Sequence, residues 1–174
     1  MDANEQDPVL AELARLVGDV ATADKLAPVL SRVTAVLARA PKLPQAWEPL
    51  PTGLFGAQIP AEVKSCWVFA LRAAAVFGSE RHPNSHQRTI ALNGTALFEV
   101  LRDGVWQQRP VDGTRGDPLD GGCVSIPSGA WHRIRIGPEN FLSVSFHTVP
   151  ASELIEETPV GDDLAVTHRR LYSS

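Results

Sequence analysis

Four of the chain's five histidines fall between residues 82 and 147, and imidazole is the side chain best suited to bind a metal or move a proton near neutral pH. In Trp131 to Ile136, His132 shares a strand face with Ile134 and Ile136, while Arg133 and Arg135 point the other way. A histidine on such an apolar, inward face is either hydrogen-bonded within the core or bound to a metal. In Phe141 to Val149, Ser143, Ser145 and His147 share one face, and Leu142, Val144 and Phe146 the other. Turned inward, the first set makes a polar patch that a core has no need of. Turned outward, it is only a solvated face. Glu80 and His82 have the two-residue spacing that puts both side chains on one side of a strand. Glu80 with Arg81 also reads as a solvated surface pair, because glutamate is seldom buried unpaired.

The spacing around His132 is more specific. Gly121 is followed by five residues, then Pro127-Ser-Gly129, two further residues, and His132. This resembles the second motif of the cupins, lacking only its final asparagine, where Ile136 stands. Upstream, Glu80-Arg-His82-Pro-Asn-Ser85-His86-Gln87, with Gly94 after six more residues, is similar to the first motif. His82 takes the place of that motif's second histidine, Glu80 that of the first, and Gln87 that of its glutamate. The resemblance implies a jelly-roll β-barrel holding one divalent metal ion.

Within the cupins, the run His82-x-x-Ser85-His86 most resembles the thiol (cysteine) dioxygenases, which also carry a helical N-terminal segment. Ser145-Phe-His147-Thr-Val149 resembles their Ser-x-His-x-Tyr element, with Val149 replacing the tyrosine. By this resemblance the metal ligands are His82, His132, Glu80 and a fourth group, Gln87 or His86, both of which remain open. His147 and Ser145, with His86 where it is not a ligand, would serve as catalytic or substrate-holding groups. Two histidines and one carboxylate leave coordination positions free and suit Fe(II). Mn(II), Ni(II) and Zn(II) remain open. The expected activity is an Fe(II)-dependent dioxygenase of a small molecule, a thiol among the options, with molecular oxygen as co-substrate. The alternatives are a metal-dependent lyase or isomerase and a binding module without chemistry. Arg72 and Arg88 are candidates to meet a substrate carboxylate or to lie on solvated faces.

Elements must hold these residues in place. Leu10, Leu13, Leu16, Val17 and Val20 recur at helical spacing, as do Leu26, Val29, Leu30, Val33, Val36 and Leu37. Thr22 or Asp24 is the expected cap of the second helix, with Pro28 in its first turn. A stretch rich in proline and glycine, 41–60, reads as a linker. Strands are expected over 66–75, 88–92, 96–101, 105–111, 123–126, 131–136 and 141–149, with Asn93-Gly94 as a hairpin turn. The division that follows is a helical segment 1–45, a cupin barrel 46–157 and a polar tail 158–174.

The whole is mainly β. Of 174 residues, 44% are hydrophobic and 21% charged, the balance of a protein with a core. The net charge of -4 with no basic stripe argues against nucleic acid. No apolar run is long enough for a membrane span, and no secretory pattern opens the chain, so the expected location is cytoplasmic. Cys66 and Cys123 have no metal or redox spacing and read as packed. A homodimer is an open expectation.

Overall fold

The computed structural model describes residues 7–161 and 163–172. Residues 1–6, 162, 173 and 174, which fall in the expected helical segment and tail, lie outside the described residues.

Two helices open the chain, α1 (Pro8–Val17) and α2 (Val20–Arg39). Asp7 caps α1, its carboxylate accepting from Leu10 N, with Pro8 in the first turn, where no N–H is needed. The cap of α2 is Asp19, which accepts from Ala21 N and Thr22 N. This corrects the expected cap at Thr22 or Asp24. Aspartate at a β-region position starts the helix earlier, so Pro28 lies inside α2 rather than in its first turn.

Among the described residues eleven strands follow: β1 (Gln45–Leu50), β2 (Ser65–Leu71), β3 (Val76–Glu80), β4 (Gln87–Asn93), β5 (Thr95–Arg102), β6 (Val105–Asp112), β7 (Cys123–Ile126), β8 (His132–Ile136), β9 (Phe141–His147), β10 (Ile155–Val160) and β11 (Asp163–Leu171). They form a five-stranded sheet, β1-β2-β9-β4-β7, a four-stranded sheet, β3-β8-β5-β6, and the hairpin β10-β11. The expected linker 41–60 thus contains a strand. Pro49 is tolerated because β1 is an edge strand. The expected strand 66–75 ends at Leu71, and the chain then crosses to the other sheet as β3.

Asn93-Gly94 is not a hairpin turn. β4 pairs with β7 and β9, and β5 with β6 and β8, so the dipeptide carries the chain between sheets. Gly94 has φ 75°, and a Cβ there would strike the Asn140 carbonyl. Close backbone approach, rather than hairpin geometry, requires the glycine. The tight hairpin is Asp103-Gly104, both at positive φ, joining β5 and β6.

The five-stranded sheet is buried on both faces, which explains why alternation in β9 left its orientation open. Val144 and Phe146 point outward, into a core built with Leu10, Leu13, Leu26, Val33 and Leu37 of the helices. Ser143, Ser145 and His147 point inward, toward the four-stranded sheet. The inner core is Phe98, Val100, Val124, Ile126 and Phe141 with their neighbours. Cys66 and Cys123 are buried, and burial pushes the Cys66 thiol up to about 12, far from a reactive thiolate at neutral pH. Among the described residues, no helix is long and apolar enough to cross a membrane.

Candidate metal centre

The mouth of the barrel opens into a cavity of about 1070 Å³ between the two sheets. Strand register puts one carboxylate and one imidazole face to face there. β3 pairs with β8 so that Glu80 lies directly opposite His132, and opposed residues bring their side chains within reach. A bulge between Phe77 and Glu80 inserts one residue into β3. Without it, residues 77 and 80 would face opposite ways. With it, Phe77 and Glu80 both line the cavity. His82 follows two residues on, and Gly129 N donates to its carbonyl. The Pro127-x-Gly129 turn is thereby fastened to the strand it faces.

Glu80, His82 and His132 each offer a donor atom, all within 4.8 Å of one another. His82 Nδ1 lies 2.9 Å from the Ile155 carbonyl and His132 Nδ1 lies 3.3 Å from that of Ala130. A carbonyl can only accept, so both Nδ1 atoms carry hydrogen, and in the neutral ring this leaves the Nε2 lone pair for a metal. His132 Nε2 is buried and makes no hydrogen bond, although Glu80 Oε1 is only 3.3 Å away. Burial lowers the affinity of His82 for a proton more than Glu80 raises it, so it rests neutral. Burial alone would raise the Glu80 carboxyl, but His132, His82 and Arg170 together outweigh it and hold the group below its usual range. Binding a divalent ion requires the carboxylate form of Glu80 and the neutral form of each imidazole.

The other expected residues divide. Gln87 lies across from His147 on β9 and lines the cavity. Its amide nitrogen donates to Thr89 Oγ1, while Oε1 is buried without a partner. Ser145 Oγ is 2.8 Å from Thr89 Oγ1, completing a chain of neutral polar groups. His147 is buried, 5.0 Å ring to ring from His82, with Nδ1 3.3 Å from Ser85 Oγ. Burial first, then His82 and His132, push its proton affinity well below that of free imidazole. His86 is not brought to this cavity. It follows the turn on the other side, where Nε2 is 2.7 Å from Ser125 Oγ and 3.7 Å from Asp7. Arg88 lies there too, held by Asp7 and Glu62. Arg72 donates to the carbonyls of Leu37, Ala40 and Leu43 at the end of α2. Neither arginine lines the cavity.

Sequence reading missed the hairpin's part. β10-β11 reaches the mouth through the Arg81–Glu157 bridge, backbone and side chain. It supplies the Ile155 carbonyl that orients His82, and it adds Glu156, Arg170 and Tyr172 to the cavity lining. Tyr172, the chain's single tyrosine, lies 5.7 Å ring to ring from both His82 and Trp67. Burial and the carboxylates Glu80 and Glu156 raise its hydroxyl far above the usual range. It therefore remains a hydrogen-bond donor. No motif spacing links residue 172 to residue 82; only a tyrosine alone in a polar tail marked it.

No family model matches the chain, and no curated protein matches it. Solved structures do. Pumpkin seed globulin aligns over 66% of this chain and 28% of its own, at 18% identity and a TM-score of 0.50. Oxalate oxidase in complex with the substrate analogue glycolate aligns over 60% of this chain and 51% of its own, at 16% identity and a TM-score of 0.46. Coconut cocosin aligns over 57% and 24%, at 22% identity and 0.48. The chain thus spans about half the length of the oxalate oxidase and less of the seed proteins. At 18% identity the likeness to the pumpkin seed globulin concerns fold alone, a mainly β jelly roll of facing antiparallel sheets.

Proposed function

We propose that the protein is a metal-dependent oxidoreductase, an Fe(II)-dependent dioxygenase of a small molecule, with Glu80, His82 and His132 as the protein ligands. One observation carries this reading: two buried imidazoles, each fixed through Nδ1 by a carbonyl, present free Nε2 atoms beside one carboxylate. Bound iron in such a set would supply Lewis acidity and one-electron chemistry toward oxygen, with coordination positions left for substrate.

The chain's own residues do the rest. The Ile155 and Ala130 carbonyls orient the imidazoles. Tyr172 donates a hydrogen bond into the space over His82. His147, neutral and held at Nδ1 by Ser85, offers its other nitrogen to a substrate proton. Ser145, Thr89 and Gln87 bind polar substrate groups along one wall, and Gln87 Oε1 is the acceptor nearest in register to His147. Together they orient a substrate beside the ion. Glu80 in place of a third histidine lowers the charge of the loaded site by one.

The test is anaerobic reconstitution with Fe(II), then oxygen uptake across a panel of thiols, hydroxy acids and phenols. Uptake that depends on both iron and one compound class supports the reading. Stoichiometric iron with no uptake for any compound, alongside metal-dependent elimination or isomerisation, would overturn the oxidative part.

A further inference from the structure

We propose, resting on the metal site just described, that this cavity takes an aromatic molecule with adjacent hydroxyl groups rather than a small dianion or an amino-acid thiol. The first observation is extent. About 1070 Å³ is the volume of a pocket for a ligand of many atoms. Along β9 the inward residues are His147, Ser145, Ser143 and Phe141. Six residues of strand place the phenylalanine roughly 20 Å from the histidine. The cavity is therefore long, with the metal-binding set at one end.

The second observation is the ring surface within reach of that set: Phe98 stands on β5 two residues from Val100, which pairs with His132, about 7 Å along the strand. Phe98 and Phe141 meet edge to face at 6.3 Å between centroids, and Phe69, Leu71 and Ile134 line the space around them. Faces and edges of rings are the surface on which a further ring packs.

Charge is the third. The arginines lining the cavity among the described residues are Arg133, Arg135 and Arg170. Arg133 is held by both oxygens of Glu99 and stacked on Trp106. Arg170 is bonded to Glu156, and Arg135 sits 3.9 Å from Glu99 with most of its side chain in solvent. An anionic tail would meet two guanidiniums already bonded to carboxylates, Arg133 and Arg170, and a third, Arg135, that lies mostly in solvent. The polar groups on the wall are neutral instead: Gln87, Thr89, Ser143 and Ser145. Gln87 Oε1 is buried and unpartnered, and a hydroxyl of the ligand would satisfy it. Vicinal hydroxyls reaching the Glu80–His82–His132 end, a ring over Phe98 and no negative tail together describe a catechol-type ligand.

The test uses 4-nitrocatechol, whose visible spectrum reports ionisation and coordination, titrated into the full chain loaded with redox-silent Zn(II). Oxalate and L-cysteine are the competitors. The expected result is saturable binding at one probe per zinc, with each competitor needed at tenfold or greater excess to displace half of it. Phe98→Leu, which keeps an apolar core residue, should weaken the probe about fivefold through loss of ring contact. It should leave zinc stoichiometry and oxalate binding unchanged. Zinc at one per chain with oxalate or cysteine bound as tightly as the probe overturns this inference alone, as does an unaltered probe affinity in Phe98→Leu. Failure to bind zinc at all overturns the metal reading, and this inference with it.

Discussion

Two histidine clusters lie on opposite sides of the turn between β3 and β4, and they are built on opposite plans. Inside the barrel, Glu80, His82 and His132 converge, and His132 Nε2 is buried without a hydrogen bond. Outside, Asp7, His86, Arg88, Ser125 and Glu62 form a closed network. Arg88 Nε and Ser125 Oγ each lie 2.7 Å from Asp7 Oδ2, and a second arm of Arg88 reaches Glu62. The Ser125 hydroxyl gives its hydrogen to Asp7, so His86 Nε2 donates to Ser125. A network in which charges answer each other holds structure together. Two imidazoles and one carboxylate whose donor atoms lie within 4.8 Å of one another form a set able to hold an ion. The outer cluster pins the start of α1 to the barrel; the inner one is the candidate metal centre.

Breaking the outer network should therefore cost stability and leave the metal site alone. Arg88→Met uncovers the buried Asp7 carboxylate, and we expect a loss of about 3–5 kcal/mol, read by urea unfolding. Zinc or iron bound per chain should not change. A variant as stable as the parent would show that Asp7 is not held there in solution.

Inner histidines should show in the pH dependence of the metal-free protein. His147 and His82 bind protons less readily when folded than the ordinary 6.5 of the unfolded chain. The unfolded state thus takes up more protons below that pH. Stability is full above about 6.5 and falls as the pH drops, by up to about 1.4 kcal/mol per unit for each group. Melting at pH 7.5 and 5.5 measures this, and His147→Asn should reduce the difference. A difference unaltered by that substitution would remove His147 from the buried neutral role.

A smaller effect is expected from the hairpin. Tyr172→Phe removes only a hydroxyl, so metal stoichiometry and melting temperature should shift little. Oxygen uptake by the iron-loaded protein should fall about tenfold or more if the hydroxyl donates within the site. Equal uptake would reduce Tyr172 to packing against Trp67.

Much of the inner cluster could be read from sequence because turn chemistry fixed it. Pro127-x-Gly129 reverses the chain with one outcome for His132, and the two-residue spacing of Glu80 and His82 needs only a strand. Other features had no local signal. The bulge that turns Glu80 inward depends on pairing with β8, where its partner His132 lies 52 residues further along the chain. Asn93-Gly94 has hairpin composition, yet its neighbours pair elsewhere, since sheet partners are chosen by burial across the whole barrel. β10-β11 reads as polar because one side faces water, and part of its contribution is the Ile155 carbonyl on His82, a backbone atom that no side-chain pattern reports. His86 and Gln87, neighbours in sequence, separate only in three dimensions, where Gln87 opens β4 facing the cavity and His86, just before it, faces Ser125 and Asp7.

The most direct measurement is metal content per chain after anaerobic Fe(II) loading and gel filtration, compared across the parent, His132→Ala, His82→Ala and His86→Ala. One ion per chain in the parent and in His86→Ala, with stoichiometric binding lost in His132→Ala and His82→Ala, is the expected result. Full occupancy retained in His132→Ala, or occupancy lost in His86→Ala while its fold persists, would contradict the inner cluster as the metal centre.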